Sequence, residues 1–291
     1  MRAISLFAGC GGADIALKKL GVDVVYANDV MSEACDTLRS FNPHTEVVHG
    51  DIRELDKFPD VDLVVGGYPC QSFSLAGNRK PSNDPRTFLY LEFARVVDQV
   101  KPKFFIAENV SGLKGIDGGA WFQQQIELFE GLADGYHVTY SLADAKNFGV
   151  PQSRKRVFIV GVRADLGMQY RFPEPTHGSL KERRKNPFLL PFTSHGEAIK
   201  HIPLDAPGEF YERPHDETGH MSWYYMSRNR KAKWLEPAFC VVANFRHITL
   251  HPASNTMELI WSNLADGFKQ KWDFTDDYEH LLHDPTLPTL E

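Results

Sequence analysis

Two regimes of hydrophobic patterning divide the chain. Up to residue 110, short apolar runs recur with amphipathic stretches between them. The runs are Arg2-Ala3-Ile4-Ser5-Leu6-Phe7, Val22 to Ala27, Glu46-Val47-Val48-His49, Val61 to Val65 and Lys103 to Ala107. Apolar positions at helical spacing fall between them, over Asp14 to Leu20 and Ser32 to Phe41. Near-continuous apolar runs mark strands buried on both faces, and helices between them make the crossovers of a parallel, doubly wound α/β sheet. Ligands of such sheets sit beyond the carboxyl ends of the strands. Polar or glycine residues stand at each of those ends: Asn28-Asp29, Gly50-Asp51, Gly66-Gly67 and Glu108-Asn109.

Farther along, His137 to Leu142 and Arg156 to Val162 alternate more strongly across a Gly-Val-Pro turn, which predicts an antiparallel pair at one edge of the sheet. From Pro173 onward, prolines at 175, 187, 191, 203, 207 and 214 break any long helix. The expected division is a domain over 1–172, a small loop-rich domain over 173–254, and a C-terminal helix with an acidic tail over 255–291.

The chain has 291 residues, 42% hydrophobic and 24% charged, enough for one large core or two unequal domains. No apolar run approaches bilayer length and no leader-like segment precedes Ile4, so the expected location is cytoplasmic with no membrane partner. Four cysteines without a C-x-x-C pair suit a reducing compartment and exclude a disulfide framework and a zinc ribbon; no metal site is expected. Net charge is −6, but unevenly spread. Residues 1–150 carry 14 basic and 20 acidic groups, residues 151–250 carry 16 and 10, and residues 251–291 carry 2 and 8. A basic module within an acidic chain suits a polyanionic substrate, as it also suits an uneven solvated surface.

Phe7-Ala8-Gly9-Cys10-Gly11-Gly12 follows the first strand and opens a helix, a turn that lets backbone approach a nucleotide-like group. Asp14 stands where a nicotinamide-binding fingerprint has its third glycine. Asp29 is suited to ribose hydroxyls and Asp51 to an adenine amino group. In Gly66-Gly67-Tyr68-Pro69-Cys70-Gln71-Ser72-Phe73-Ser74, Cys70 lies on a loop just past a buried strand, where a nucleophile is poised. Cys10 and Cys35 read as packing residues. Glu108 ends the next strand, and Arg154 and Arg156 alternate along an extended segment.

In this order the F-x-G-x-G-G turn, the P-C-Q-x-F-S loop, the E-N-V strand end and the Q-x-R-x-R segment resemble the C5-cytosine DNA methyltransferases, over about residues 1–165. A looser resemblance runs through Met226-Ser227-Arg228-Asn229-Arg230, Trp234 to Phe239, Arg246 and His251-Pro252, and is similar to bacterial members that read GGCC-containing sites. The resemblance implies a methyltransferase fold that binds S-adenosylmethionine and releases S-adenosylhomocysteine, with double-stranded DNA as partner in a bacterial, nucleoid-associated setting.

It implies that Cys70 adds to cytosine C6, that Glu108, its pKa raised by burial beside the base, serves ring nitrogen N3, and that Arg154 and Arg156 clamp the base. It assigns Phe7, Ala8, Gly9, Gly11, Asp29, Val30, Asp51, Ile52 and Pro69 to the cofactor. Gln71, Ser74, Arg228, Arg230 and Arg246 go to DNA, and Ser72 to Arg86 to a loop that closes over it. Asp29 stands where the family usually has glutamate. A tRNA cytosine methyltransferase and an inactive DNA-binding subunit are the alternatives.

The family's R-x-L-T-x-R-E-x-x-R-x-Q-like segment and G-N-x-V-P turn are not found. Ser254-Asn255-Thr256-Met257, followed by a helix over Glu258 to Lys269, is one reading of a degenerate cofactor-side turn. The expectation drawn is a split enzyme whose smaller companion subunit supplies the rest; a shortened chain is the other explanation.

Overall fold

A computed structural model describes residues 1–69, 88–201, 234–240, 257–263 and 269–274. Among these residues the chain forms two compact units. One comprises Met1–Ala143 with Lys155–Pro173, and the other Asp144–Arg154 with Glu174–Glu291.

The first unit is built on a sheet whose strands are β1 (Arg2–Leu6), β2 (Asp23–Asp29), β3 (Glu46–His49), β4 (Leu63–Gly66), β5 (Phe104–Val110), β6 (Tyr136–Asp144) and β7 (Lys155–Arg163). Their spatial order is β3-β2-β1-β4-β5-β7-β6. Strands β1 to β5 pair in parallel and β7 runs antiparallel to β5. Helices α1 (Gly12–Lys19), α2 (Ser32–Phe41), α3 (Leu89–Val100) and α4 (Ala120–Glu130) lie between strands in sequence. This is the mostly parallel α/β sheet expected from the patterning, with the 137–142 and 156–162 stretches adjacent at one edge.

Side chains alternate across the central strands. Ile4, Leu6, Val64, Phe105 and Ala107 join one core cluster with Phe93, Val96 and Val97 of α3 and Phe122, Ile126 and Phe129 of α4. Ala3, Leu63 and Val65, with Phe104 and Ile106, join another with Leu17 of α1. The two-residue period of an extended strand thus feeds two hydrophobic layers from each buried run. The heavier layer is aromatic. Phe105 lies 6.0 Å from Phe93, 5.5 Å from Phe129 and 5.1 Å from Tyr136, centroid to centroid, all in edge or tilted geometry.

The pairings share one register. Val48, Asn28, Leu6, Gly66, Ala107 and Ile159 stand in a row across six strands. The next row contains His49, Asp29, Glu108 and Phe158, and the chain continues past the first row as Phe7 after β1 and Gly67 after β4.

The second unit contains β8 (His177–Gly178), α5 (Leu180–Lys185), β9 (Leu190–Pro191) and α6 (His195–Ile199), with β8 and β9 parallel. The helix expected over Glu258 to Lys269 is not formed. Instead β10 (Met257–Asn263) and β11 (Lys269–Phe274) pair antiparallel, Met257 opposite Phe274 and Asn263 opposite Lys269. In hindsight Asp266-Gly267 is a hairpin signal between two runs rich in aromatic and branched residues, and glycine disfavours a helix interior.

Gly161 of β7 faces the Phe105 ring so closely that a Cβ would lie 2.0 Å from it. Gly161→Ala is therefore expected to destabilise the protein by about 1–3 kcal/mol through overpacking. Combining it with Phe105→Leu should recover part of that loss. Thermal unfolding of the two single variants and the double variant measures the coupling; simple additivity would show that the two sites do not share the space.

Candidate active site

The glycine-rich turn leaves β1 in an unusual backbone conformation. Gly9 and Gly11 have φ of 54° and 81°, and Phe7, a non-glycine, has φ of 53°. Holding such a residue in the left-handed region costs about 1–3 kcal/mol, strain that the surroundings must offset. Part of that restraint is visible. The Ala8 amide donates to the Asn28 carbonyl at 3.0 Å, and the Gly9 amide donates to Asp29 Oδ2 at 2.8 Å. Asp29 Oδ1 accepts from the Met31 amide at 2.9 Å. One carboxylate thereby joins the end of β2 to the turn.

Gly11 has no room for a side chain, since a Cβ would sit 2.4 Å from the Phe41 ring and 2.6 Å from Leu38. Cys10, between the two left-handed glycines, is exposed rather than packed, whereas Cys35 is buried as expected.

Beside this turn, buried Asn28 donates its amide to the carbonyls of Val48 (3.1 Å) and Gly50 (2.9 Å), holding the ends of β2 and β3 together. Val30 is 64% exposed, an apolar side chain left open next to Asp29. Asp51 accepts from the Arg53 amide and guanidinium, and that hydrogen-bonded cation holds its carboxyl below the usual range. The Ile52 side chain is packed in the core.

Beneath the turn lies a group the sequence reading noted only for its position. Asp14, in the first turn of α1, is fully buried, and its Oδ2 accepts from Ser5 Oγ at 2.8 Å. Its Oδ1 has no hydrogen-bond partner. Burial raises the Asp14 carboxyl above its ordinary range, and the Ser5 bond offsets only part of that.

At the ends of β4 and β5 the chain is fastened a second time. Asn109 Nδ2 donates to the Tyr68 carbonyl at 3.2 Å, while Asn109 Oδ1 accepts from the Val110 amide at 2.8 Å. The buried Tyr68 hydroxyl donates to Gln125 Oε1 of α4 at 2.8 Å. A Cβ on Gly67 would lie 3.1 Å from Glu108 Oε2, so glycine there leaves space for the carboxylate. Glu108 Oε1 pairs with Arg156 Nε at 2.7 Å across the β5–β7 ladder, and both groups are partly buried. Pro69 is half-buried at the last described position before the loop. Cys70, Gln71 and Ser74 lie outside the described residues, as does the expected closing loop through Arg86.

Arg154 belongs to the other unit. Its amide donates to Asp144 Oδ1 at 3.0 Å, Ser153 Oγ donates to Asp144 Oδ2 at 3.2 Å, and Arg154 Nη1 approaches Cys240 Sγ at 3.6 Å. Ala238 grips the same loop from both sides, donating to the Pro151 carbonyl and accepting from the Ser153 amide, each at 2.9 Å. Arg228, Arg230 and Arg246 lie outside the described residues. The sequence reading assigned no role to Asn109, Gln125 or Asp144. For Asn109 a signal was present, its place within Glu108-Asn109-Val110; for the others only the fold reveals the partner. No group of three or more metal-ligating side chains occurs among the described residues, and no helix among them is long and apolar enough to cross a membrane.

Comparison with known proteins places this geometry in context. Residues 1–270 match the model of the C-5 cytosine-specific DNA methylases. The Type II methyltransferase M.BspRI of Lysinibacillus sphaericus is 38% identical over 95% of this chain and 67% of its own length. M.BsuRI of Bacillus subtilis is 36% identical over 96% of this chain and 66% of its own. The chain therefore spans about two thirds of the length of these relatives. The crystal structure of the S. pombe Dnmt2 methyltransferase superposes with a TM-score of 0.55 and 19% identity, covering 100% of this chain and 88% of that one, a likeness of fold.

Asp14 gives a test by pH. Its folded-state pKa is raised, so the native state binds more protons than the unfolded chain, and stability falls as pH climbs above the ordinary carboxyl value. Asp14→Asn should raise the melting temperature at neutral pH, with a gain that shrinks as pH is lowered toward 4. A gain independent of pH would mean the carboxyl's charge is not what destabilises the site.

Proposed function

The chain belongs to the C-5 cytosine-specific DNA methylase family, and from that premise we propose that it methylates C5 of a cytosine flipped out of duplex DNA, in a restriction–modification setting. The observation that carries the reading is the arrangement at the ends of β4 and β5, just before Cys70 in sequence. Asn109 holds the carbonyl of Tyr68, two residues before Cys70 in sequence, and Gly67 leaves room for the Glu108 carboxylate, whose other oxygen meets Arg156.

In this reading the Cys70 thiolate adds to cytosine C6, and Glu108 supplies a proton or hydrogen bond at N3. Arg154 and Arg156 hold the base and its phosphate. Addition at C6 gives C5 the electron density to accept a methyl group, and loss of the C5 proton then expels Cys70. Bound S-adenosylmethionine would supply that methyl as an electrophile. The residues suit it: Phe7 to Gly11 offer a backbone turn with open space over Gly9, Asp29 and Asp51 offer carboxylates, and Val30 offers an exposed apolar contact. Ile52 then contributes through its backbone, its side chain being in the core. The base is extruded because C5 is not reachable for this chemistry within the stack.

For specificity we propose a recognition domain over 173–254 and a GGCC-like core site, with Arg228 and Arg230 bidentate to guanines and Arg246 beside them. Gln71 and Ser74 are assigned to the DNA side of the catalytic loop. The companion-chain expectation has no support from the comparisons and is tested by the same assay as solo activity.

Cys70→Ala should abolish methyl transfer while cofactor and DNA affinity stay within a few-fold of wild type. Labelled methyl transfer to duplex DNA and to tRNA, run in parallel, checks this. Turnover within tenfold of wild type would sink the Cys70 assignment, and transfer to tRNA alone would replace DNA as substrate. Bisulfite sequencing of DNA from expressing cells reads the site; full sequence-specific activity of this chain alone would end the companion-chain expectation.

Arg230→Ala should cost about 1–3 kcal/mol of discrimination at one base pair of the site. Competition binding with single-base variants of the duplex measures it. Equal weakening for every sequence would reassign the arginine to phosphate.

A further inference from the structure

Within the second unit, residues 179–191 form a short, strongly basic arm that the site described above does not use. Helix α5 is closed at its start by a reciprocal cap. Ser179 Oγ accepts from the Glu182 amide at 3.3 Å, and Glu182 Oε2 accepts from the Ser179 amide at 2.7 Å. The exit is also tied down. The Asn186 amide donates to the Glu182 carbonyl, the Phe188 amide to Asn186 Oδ1, and the Leu190 amide to the Thr176 carbonyl. Gly178 lets the arm close, since a Cβ there would meet Leu189 at 2.9 Å.

This frame presents Lys181, Arg184 and Lys185, all exposed, at the i, i+3, i+4 spacing that shares one helix face. Half-buried Arg183 adds a fourth cation. None of the four is in an ion pair among the described residues, whereas Arg39, Arg95 and Lys200 each pair with an acid three residues before them. The helix's one acid, Glu182, is engaged by the cap. Helix stability accounts for Arg183, Arg184 and Lys185 in the last turn but not for the whole pattern. Cations near a helix C-terminus gain from its dipole, but Lys181 sits in the first turn, where the dipole opposes it. Phe188 is 94% exposed just beyond, held there by the Asn186 turn.

We propose that this arm grips the phosphodiester backbone of duplex DNA, with Lys181, Arg184 and Lys185 on phosphates and Phe188 against deoxyribose. The proposal rests on the duplex-DNA reading above and adds to it a sequence-independent contact outside the arginines assigned to base reading. Unpaired, preorganised cations release condensed counterions on meeting phosphates, which is the main source of backbone affinity.

The test is equilibrium binding of the full chain to duplexes with and without the preferred site, over a range of salt. The variants are Lys181→Gln/Arg184→Gln/Lys185→Gln and, as the charge-conserving control, Lys181→Arg/Arg184→Lys/Lys185→Arg. Three lost phosphate contacts should lower the slope of log affinity against log salt by about 2–3. The loss should be equal for both duplexes, with the control near wild type. Phe188→Ala should weaken both duplexes without changing the slope. An unchanged slope in the glutamine variant overturns the proposal, and so does a loss confined to the preferred site. Because binding is read separately from methyl transfer, a wild-type chain that fails to bind duplex would sink the duplex-DNA reading, whereas failure to methylate a bound duplex leaves the arm to be judged on its slope.

Discussion

The shared register of the central sheet is the constraint on which the candidate site depends. With Val48, Asn28, Leu6, Gly66 and Ala107 in one row, the groups one step beyond it emerge at a common level along the carboxyl edge. Asp29, Phe7, Gly67 and Glu108 are those groups. A slip of one residue in any strand would send its terminal side chain to the opposite face. The register is held by burial, because each central strand feeds one hydrophobic layer against α3 and α4 and another against α1. The core therefore specifies where the chemistry sits.

Past that row, single polar side chains take over from hydrophobic packing. Asp29 bridges the glycine-rich turn and the start of the next loop, Asn28 joins the ends of β2 and β3, and Asn109 fastens the chain before Pro69. Each satisfies backbone groups that have no ladder partner at a strand end, where an unmet buried donor or acceptor would be costly. The same edge carries two local costs of the fold: the left-handed Phe7 and the half-satisfied Asp14. Both flank one turn, and strain of this kind persists where neighbouring contacts over-determine the backbone.

The two arginines of the Q-x-R-x-R segment are held by different means. Arg156 lies in the strand ladder of the first unit and meets Glu108. Arg154 lies in a loop of the second unit, clamped by Asp144 and by Ala238. The chain passes between the units at 143–144, 154–155 and 173–174, so two residues only two positions apart in sequence fall in different units.

The sequence by itself determined the parallel α/β sheet, its strand ends and the ordered motifs. Those depend on local features: runs of buried apolar residues, glycines where backbone must turn, and a cysteine after a strand. It misjudged 258–269, read as a helix, because periodicity alone does not separate a short helix from a strand and the pairing of 257–263 with 269–274 decides. Cys10 was read as packed because it lies inside the glycine-rich turn, but between two left-handed glycines it is exposed. Only the tertiary structure could reveal the Tyr68–Gln125 and Asn109–Tyr68 bonds or the pairing of Glu108 with Arg156. These join residues dozens of positions apart, and no local pattern encodes a partner that is chosen by strand order and register.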